Sequence, residues 1–309
     1  MDFSKVKTIS IKSRKHKVNI SQLGTVPGGE LFADFYDSLP DILGAQNIKL
    51  IAKAAARASN EGYEVILAMG AHPVKCGLSP VIINLMEQKI ITCIAMNGAG
   101  SIHDFELSYH GQTSEEVAIT LKDGSFGMVE ETGRILNEAM RDGIRKNLGA
   151  GESVGIHIAD SGYEYADFSI QAAGVKEGID VTVHIAIGTD TIHIHPEADG
   201  AVLGKASYID FMKFTDHIAK LEGGVYINLG SAVVLPEVFL KALSVVRNMG
   251  YKVNNFTTVN MDMNYQYRPS ENVLKRPELS GAQAFNLFGH HEVMLPLLAS
   301  SIVLEKARL

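Results

Sequence analysis

Short apolar runs alternate along the chain with longer segments in which apolar residues recur every three or four positions. The short runs predict β-strands, and the amphipathic segments predict helices. The predicted strands are EVILAM (64–69), IITCIA (90–95), SVGIHIA (153–159), VTVHIAIG (181–188), VYINLG (225–230), KVNNFTT (252–258) and AFNLF (284–288). The helical pattern is clearest over 131–147 and over 236–250, where a proline at the start and a glycine at the end mark the boundaries.

Near-continuous apolar strands that are each followed by a helix are typical of a parallel sheet covered on both faces. The chain contains no Pro/Ser-rich linker, low-complexity tract or internal repeat. We therefore expect a single α/β domain over 1–309, doubly wound and mostly parallel, with a Rossmann-like arrangement. A short polar segment at about 1–30 precedes it.

Charge and composition narrow the class of partner. The chain has 309 residues and a net charge of −7, and its only dense basic run is KSRKHK (12–17), so nothing indicates nucleic-acid binding. No apolar run approaches the roughly 20 residues that span a bilayer. The two cysteines, Cys76 and Cys93, lie next to or within apolar runs, which favours a reduced protein without disulfides. We expect a cytoplasmic protein that acts on a small molecule.

Glycine recurs where the predicted strands end. In parallel α/β sheets, ligands bind outside the carboxyl ends of the strands, and glycine lets a backbone N–H approach an anion closely. The loops in question are GAHPVKCG (70–77), NGAGSIHD (97–104), DSGYEYAD (160–167), GTDTIHIHP (188–196), GSAVVLPE (230–237), TTVNMDMNYQY (257–267) and GHHE (289–292). Such a series of loops favours a bound nucleotide over ordinary turn chemistry.

The loop after the second predicted strand carries candidate catalytic chemistry. Gly98-Ala99-Gly100 alone is a weak dinucleotide fingerprint, because His103 stands where the third glycine would be. A histidine beside a nucleotide loop can act as a general acid or base, and Asp104 could fix its tautomer. The alternative interpretation is that Asp104 caps a helix starting at Phe105 while His103 is only packed.

A second group of histidines permits a different chemistry. His193 and His195 would face the same side of a strand, and Glu197 follows them. Together with His290 and His291 they could form a zinc or iron site. Polar lining of a substrate pocket is the other interpretation, and it leaves the protein without a metal.

Two segments resemble deoxyhypusine synthase, the NAD-dependent enzyme that transfers an aminobutyl group from spermidine to a protein lysine. They are ILAMGAHPVKCGLSPVIINLMEQKIITCIAMNGAGSIHDFEL (66–107) and a region over 223–300 that contains GGVYINLGSAVVLPEVF, RPSENVLK and FNLFGHHEVMLPLLAS. The glycine turn followed by His103-Asp104 also resembles the NAD-binding domain of ornithine cyclodeaminases in the same superfamily. The resemblance covers roughly residue 64 to the C-terminus and is carried by the order of several short motifs.

The resemblance implies which residues bind NAD. Gly70, Ala71 and His72 stand at the first nucleotide loop of the family, and Asn97, Gly98, Ala99 and Gly100 match its Thr-Ala-Gly-Gly turn. The remaining implied contacts are Thr189, Asp190, Gly230, Ser231, Gly289 and His290. Asp190 would hold ribose hydroxyls, whereas His290 replaces an aspartate of the family. The family also implies a homo-oligomer, expected to be a tetramer.

Arg268-Pro269-x-Glu271 resembles the motif before the catalytic lysine of the family, which implies Lys275 as the counterpart. The sequence departs from the family here. It contains no tryptophan, the family's lysine lies two residues further from the Arg-Pro pair, and MDMNYQY (261–267) retains one acidic residue where the family has the acidic residues that hold a polyamine. Spermidine and hypusine formation are therefore not predicted.

The sequence predicts an NAD-dependent enzyme that transforms an amine or amino acid through an imine, as a transferase or a cyclodeaminase-like enzyme. The predicted catalytic residues are Lys275, His103 and Asp104. A metal-dependent hydrolase using His193 and His195 is one alternative, and a non-catalytic nucleotide-binding protein is another.

Overall fold

The computed structural model describes residues 31–309, which form one six-stranded sheet with helices on both faces. The strands are β1 (Val65–Met69), β2 (Cys93–Asn97), β3 (Asp180–His184), β4 (Val225–Leu229), β5 (Thr257–Asp262) and β6 (Gln283–Phe288). Their order is β3-β2-β1-β4-β5-β6, and all neighbours are parallel. The predicted doubly wound, Rossmann-like fold is confirmed. The predicted polar segment at about 1–30 and its basic run lie outside the described residues.

Thirteen α-helices connect or flank these strands in the described part of the chain. They are α1 (Phe32–Ser38), α2 (Leu43–Glu61), α3 (His72–Lys75), α4 (Ser79–Glu87), α5 (Gly98–His110), α6 (Val117–Thr120), α7 (Glu130–Arg145), α8 (Ala150–Asp160), α9 (Ile170–Glu177), α10 (Gly200–Ile218), α11 (Val234–Asn248), α12 (Arg276–Glu278) and α13 (His291–Arg308). A π-helical segment (Pro269–Lys275) precedes α12. Within residues 31–309, none of the helices is both long and apolar enough to cross a bilayer.

Alternate residues of each central strand pack against different helical layers. Leu67 of β1 joins a core formed with α2, α4, α5 and α13, whereas Ile66 joins a second core formed with α10 and α11. In the second core, the rings of Tyr226 and Phe239 stack with centroids 3.9 Å apart. The strand period of two thus gives both faces an apolar surface, which is why the strand sequences are nearly continuous in apolar residues.

The strand order reverses between β1 and β4. From β1 the chain builds outward through β2 to β3, and then returns to the other side of β1 to add β4, β5 and β6. The connections after β1 and β4 therefore leave the sheet in opposite directions. This divergence opens a crevice at the carboxyl edge of the sheet, where ligands bind in folds of this type.

One predicted strand is wrong. Residues 153–159 lie within helix α8, which buries Val154 and Ile158 one turn apart while His157 is half-buried. The spacing of four marks a helical stripe, and this spacing outweighs the β-branched composition that suggested a strand. The loop predicted over 160–167 therefore follows a helix rather than a strand.

Three predicted boundaries also shift, two of them toward the C-terminus and that of α5 toward the N-terminus. Strand β2 begins at Cys93 rather than 90, and β5 occupies Thr257–Asp262, most of which was predicted as a loop. Helix α5 begins directly at Gly98, so 98–104 is helical and Phe105 is not a helix start. Apolar runs locate a strand, but the pairing of parallel neighbours decides where it starts.

Candidate functional site

The loops after β1 and β4 meet at the point where the strand order reverses. The Gly70 N–H donates to the Leu229 carbonyl over 3.0 Å, and the Gly230 N–H donates to the Met261 carbonyl over 2.9 Å. A Cβ at Gly70 would lie 2.5 Å from the Gly230 carbonyl oxygen, so the close approach of the two loops requires glycine. The structure brings Gly70, Ala71 and His72 beside Gly230 and Ser231, and we call this region the switch-point crevice.

Two histidines lie against the switch-point crevice. His291, the first residue of α13, is 2% exposed, and neither of its ring nitrogens has a hydrogen-bond partner. Its ring packs edge-on to that of His72 with centroids 5.4 Å apart, and His72 Nε2 lies 3.1 Å from Cys76 Sγ. Burial lowers the pKa of His291, with Asp262 opposing the shift. His291 therefore presents neutral donor and acceptor groups that the protein leaves unused.

The predicted pair Gly289 and His290 lies further along the same edge, after β6. The Gly289 N–H donates to the Asp262 carbonyl over 3.1 Å, which ties this loop to the end of β5. The His290 side chain is exposed and lies 3.8 Å from Glu292. His290 is thus available to a ligand, whereas the adjacent His291 is buried.

The turn after β2 forms the N-terminus of α5. Asn97 is the N-cap, and its Oδ1 accepts a hydrogen bond from the Gly100 N–H over 3.0 Å. A Cβ on Gly98 would overlap the carboxylate of Asp190, so glycine is required where the loop after β3 lies on the turn. The predicted residues Asn97 to Gly100 and Asp190 therefore form one surface.

Asp190 and His193 form a buried pair beside this turn. His193 Nδ1 accepts hydrogen bonds from the N–H groups of Gly188 and Asp190, at 3.1 and 3.2 Å. Its Nε2 lies 3.9 Å from Asp190 Oδ2, and neither atom has a hydrogen-bond partner. Burial raises the pKa of Asp190 and lowers the pKa of His193. Thr189 is exposed, and its hydroxyl donates to the Ala186 carbonyl over 2.7 Å.

A cavity in the described part of the chain adjoins these loops. It has a volume of about 640 Å³ and is bounded by α5, the segment 112–117, the start of α7 and the loop after β3. We call it the α5 cleft. Its polar lining includes Lys75, His103, Glu106, His110, Thr113, Glu115, Glu131, Thr132, Thr189 and Asp190. Because α3 carries His72 at one end and Lys75 at the other, this helix links the crevice to the cleft.

His103 lies on the wall of the α5 cleft in a chain of hydrogen bonds. Its Nδ1 is 2.6 Å from the Thr113 hydroxyl, which donates to Glu106 Oε2 over 2.5 Å. The Thr132 hydroxyl donates to Glu106 Oε1 over 3.1 Å. Burial alone would raise the pKa of Glu106, but hydrogen bonds from His103, Thr113 and Thr132 hold it below its ordinary value. Glu106 is therefore a carboxylate near neutral pH.

Asp104 has a structural environment instead. It is fully buried, and its carboxylate accepts hydrogen bonds from the Ser169 hydroxyl, the N–H groups of Ile170 and Gln171, and the Gln171 side chain. Asp104 thus caps the N-terminus of α9, a helix that is remote from it in the sequence. It caps no helix at Phe105, because α5 has already begun at Gly98. The Asp104 side chain does not line the α5 cleft, whereas the His103 side chain does.

Lys275 is not among the residues that line the α5 cleft. Its side chain is 62% exposed and pairs with Glu271 over 2.5 Å, which raises the lysine pKa. It lies at the end of the π-helical segment, one turn before the residues that lead into the amino end of β6. A lysine that captures an imine must lose its proton, and both the ion pair and the exposure keep it charged.

The histidines proposed as metal ligands are not gathered at one point. His195 Nε2 interacts with the Gly127 carbonyl at 2.8 Å, whereas His193 is bonded to the backbone near Asp190. No group of three or more His, Cys, Asp or Glu side chains within residues 31–309 is arranged to hold a metal ion. The metal-dependent hydrolase alternative thus gains no support from the described residues.

Three residues of the α5 cleft were not among the candidates predicted from the sequence. Glu106 follows His103 by three positions on α5, and this spacing alone could have indicated it, since residues three apart share a helix face. Thr113 and Thr132 arrive from a loop and from α7. No local pattern connects them to His103.

No family model matches the sequence, and no curated protein matches it. The fold, however, is shared with several solved structures. A proposed LOR/SDH protein from Methanococcus maripaludis is 18% identical with a TM-score of 0.54, and the match covers 87% of this chain and 72% of that one. A proposed deoxyhypusine synthase from Entamoeba histolytica is 13% identical with a TM-score of 0.52, and covers 89% and 94%.

A third similar structure is the ternary complex of AgrE with ornithine and NAD⁺, at 13% identity and a TM-score of 0.52. This match covers 87% of the present chain but only 35% of AgrE, so the chain spans about a third of that protein. The same holds for ArgZ, an arginine dihydrolase from cyanobacteria, of which 33% is covered. The class defined by fold and site is thus a Rossmann-like α/β protein. The resemblance to deoxyhypusine synthase predicted from the sequence is confirmed at the level of the fold.

Proposed function

We propose that this chain is an NAD-dependent enzyme that acts on an amine or amino acid through an imine intermediate. One observation carries the proposal: a glycine-lined switch-point crevice adjoins a cleft that places a histidine among carboxylates. The occurrence of ornithine and NAD⁺ in the AgrE complex, which shares the fold, supports the cofactor and the substrate class. Hypusine formation is not proposed, because the chain has no tryptophan and its segment before Arg268-Pro269 carries only one acidic residue, Asp262.

The cofactor would lie along the carboxyl edge of β1, β2 and β4. Gly70, Ala71, His72, Gly230 and Ser231 would line one part of its site. Asn97, Gly98, Ala99, Gly100, Thr189 and Asp190 would line the next, with Gly289 and His290 at the far end. Unpartnered polar atoms of His291 and Asp190 fit such a ligand, because a dinucleotide offers amide and hydroxyl groups as partners.

The charge of the α5 cleft favours a cationic substrate. Four acidic residues and one lysine line the cavity, namely Glu106, Glu115, Glu131 and Asp190 against Lys75. An ammonium group would be attracted into such a pocket, and Lys75 could pair with a substrate carboxylate. This arrangement favours an amino acid as the substrate over a molecule that carries only negative charge.

Bound NAD⁺ would supply a hydride acceptor. His103 would take a proton from the substrate ammonium, so that the nitrogen lone pair forms the C=N bond as hydride leaves the carbon. The resulting imine is then open to water. We assign this attack to water rather than to Lys275, and we assign Asp104 to the packing of α9 rather than to the reaction. His103 would also return the proton in the later step.

Calorimetric titration of NAD⁺ into the full chain tests the cofactor. We expect saturable binding that Gly98→Val weakens at least tenfold, about 1.4 kcal/mol, because the new side chain displaces the Asp190 carboxylate. Gly204→Val is a matched control, because a Cβ at that glycine of α10 meets nothing within 4 Å. Absence of binding by the unmutated protein would refute the cofactor.

NADH formation from a panel of amines and amino acids tests the reaction. Binding of NAD⁺ without turnover of any of them would favour the alternative, a non-catalytic nucleotide-binding protein. We further propose that the protein forms a homotetramer. The resemblance to deoxyhypusine synthase is the sole support for this proposal. Light scattering at micromolar protein measures the mass directly, and a monomer would contradict it.

A further inference from the structure

His103, Thr113 and Glu106 form a three-membered relay on the wall of the α5 cleft. His103 and Glu106 share one face of α5, and the chain turns at Gly111 to bring Thr113 back onto that face. Ser114, the next residue, has a φ of 69°, a left-handed conformation that residues other than glycine rarely adopt. The position of the Thr113 hydroxyl is therefore imposed by the loop rather than by local preference.

Counting protons in the relay fixes the tautomer of the histidine. The Thr113 hydroxyl has one hydrogen, and the Glu106 carboxylate can only accept, so this hydrogen points to Glu106. Toward His103 the same oxygen can then only accept, and Nδ1, at 2.6 Å, must carry a proton. The neutral imidazole is left with its lone pair on Nε2.

Nε2 is the atom that remains free for chemistry. This nitrogen forms no hydrogen bond with residues 31–309, and it is not fully buried. His103 lines the cavity, and its side chain is 17% exposed. The charged groups that share the cleft with it are Lys75, Glu106, His110, Glu115, Glu131 and Asp190.

We propose that Thr113 and Glu106 are positioning residues that hold His103 with its proton on Nδ1, so that Nε2 faces the cleft as the proton acceptor. This inference deepens the proposed function and rests on it for the identity of the proton donor. When a substrate N–H bond breaks, the new bond forms at Nε2, and the charge of the imidazolium is balanced by Glu106 through Thr113. The Nδ1 proton stays in place in both states. Thr132 keeps the second oxygen of Glu106 oriented.

Nitrogen-15 NMR of histidine-labelled full-length protein tests the tautomer without any substrate. For neutral His103 we expect a protonated Nδ1 and an unprotonated Nε2. Thr113→Val removes the hydroxyl at equal size and should give a mixture of tautomers, whereas Thr113→Ser retains the hydroxyl and should preserve the Nδ1–H form. Glu106→Gln places beside Thr113 an amide that can donate as well as accept, so the hydroxyl hydrogen is no longer forced away from His103 and a mixture of tautomers is again expected. Thr215→Val, a threonine of α10 bonded only to its own helix, is the matched control.

Turnover provides the second readout. Thr113→Val should reduce kcat/KM at least about tenfold through kcat, and Thr113→Ser should restore most of it. A proton on Nε2 of neutral His103 in the unmutated protein would overturn the inference, whatever the activity. So would an unchanged tautomer and unchanged rate in Thr113→Val. The expected tautomers in a protein that turns over no amine would instead refute the proposed function and leave the positioning intact.

Discussion

Two histidines linked to carboxylates, one through a threonine and one directly, lie at opposite edges of the same sheet. At the carboxyl edge, His103 uses one ring nitrogen, bonded through Thr113 to Glu106. At the amino edge, His217 uses both: Nδ1 lies 3.1 Å from Glu64 and Nε2 lies 3.1 Å from Asp180. Burial opposes the charge of His217, but its contacts with Asp180, Cys93 and Glu64 raise its pKa to about 12. His217 is therefore a permanent cation.

The two environments predict different roles for the two histidines. An imidazole held by two carboxylates does not exchange its proton near neutral pH, and it joins α10 to Glu64, which precedes β1, and to Asp180, the first residue of β3. An imidazole held at Nδ1 alone is oriented and keeps a free nitrogen. Each site pairs an imidazole with carboxylate chemistry, but His103 contacts one hydroxyl through one ring nitrogen, whereas His217 contacts two carboxylates through both.

The largest expected effect is on turnover. His103→Gln should lower kcat/KM for an amine substrate by about 10²–10⁴, since general base catalysis contributes this range. The unfolding free energy should change by less than about 1 kcal/mol, since only the bond to Thr113 is lost. Steady-state kinetics with urea unfolding check both. Full activity in this variant would show that His103 is not the general base.

The next effect is on stability, at the opposite edge. His217→Gln should lower the unfolding free energy by roughly 2–4 kcal/mol, because half-buried Glu64 loses its cationic partner and Asp180 keeps only Lys213. NAD⁺ affinity should not change. Urea unfolding gives the measurement, and His290→Gln, at an exposed position, is the control. Equal losses of unfolding free energy in the two variants would show that the contacts of His217 with Glu64 and Asp180 do not stabilise the fold.

A third histidine, without any carboxylate partner, predicts a pH dependence. Complete burial lowers the pKa of His184 to about 3. Between about pH 3 and the unfolded value near 6.5, the unfolded chain binds the additional proton, so stability is lost as the pH falls through this window. In His184→Phe the slope of unfolding free energy against pH should decrease by about 1 kcal/mol per unit.

The slope of the unmutated protein also contains the opposite contribution of Asp210. Burial raises the pKa of this carboxyl to about 7, so the native state gains stability as the pH falls from 7 toward the ordinary value. The comparison must therefore be between His184→Phe and the unmutated protein at each pH. Parallel curves would contradict the assignment of His184 as a neutral buried group.

The smallest expected effect concerns Lys275. Lys275→Ala should leave turnover, NAD⁺ affinity and the unfolding midpoint unchanged, because an exposed ion pair with Glu271 contributes little. Borohydride trapping during turnover should leave no substrate mass on the peptide that contains this lysine. Recovery of such a peptide, with loss of the label in the variant, would restore the covalent lysine mechanism.

The fold was predictable because its signals are local. Apolar runs such as VYINLG and the glycines that follow them placed the strands and the carboxyl edge correctly. The helix over 150–160 was missed because β-branched residues suit both states, and only its packing against β3 and α9 decides between them. The start of β5 was misplaced for a related reason, since pairing with β4 and β6 sets its register.

Within the candidate site, adjacency in sequence was misleading. His103 and Asp104 are neighbours in the chain, yet successive helix positions point about 100° apart, so one faces the cleft and the other the core. The resemblance suggested Lys275 as a catalytic residue because it follows the Arg268-Pro269 motif. In the structure Lys275 ends a π-helical segment and its side chain is exposed to solvent.

The sequence by itself determined the parallel α/β class, the glycine loops at the strand ends and the presence of His103 among them. Each depends on a periodicity of two or 3.6, or on the backbone freedom of glycine, which are properties of short stretches. Only the tertiary structure decided that Thr113 joins His103 to Glu106, and that Glu64 and Asp180 both contact His217. Glu64 and His217 are 153 positions apart, so no local pattern can encode their contact. The spacing of three places Glu106 on the same helix face as His103, but the direction of the Thr113 hydroxyl hydrogen depends on both of its partners, which only the folded chain brings together.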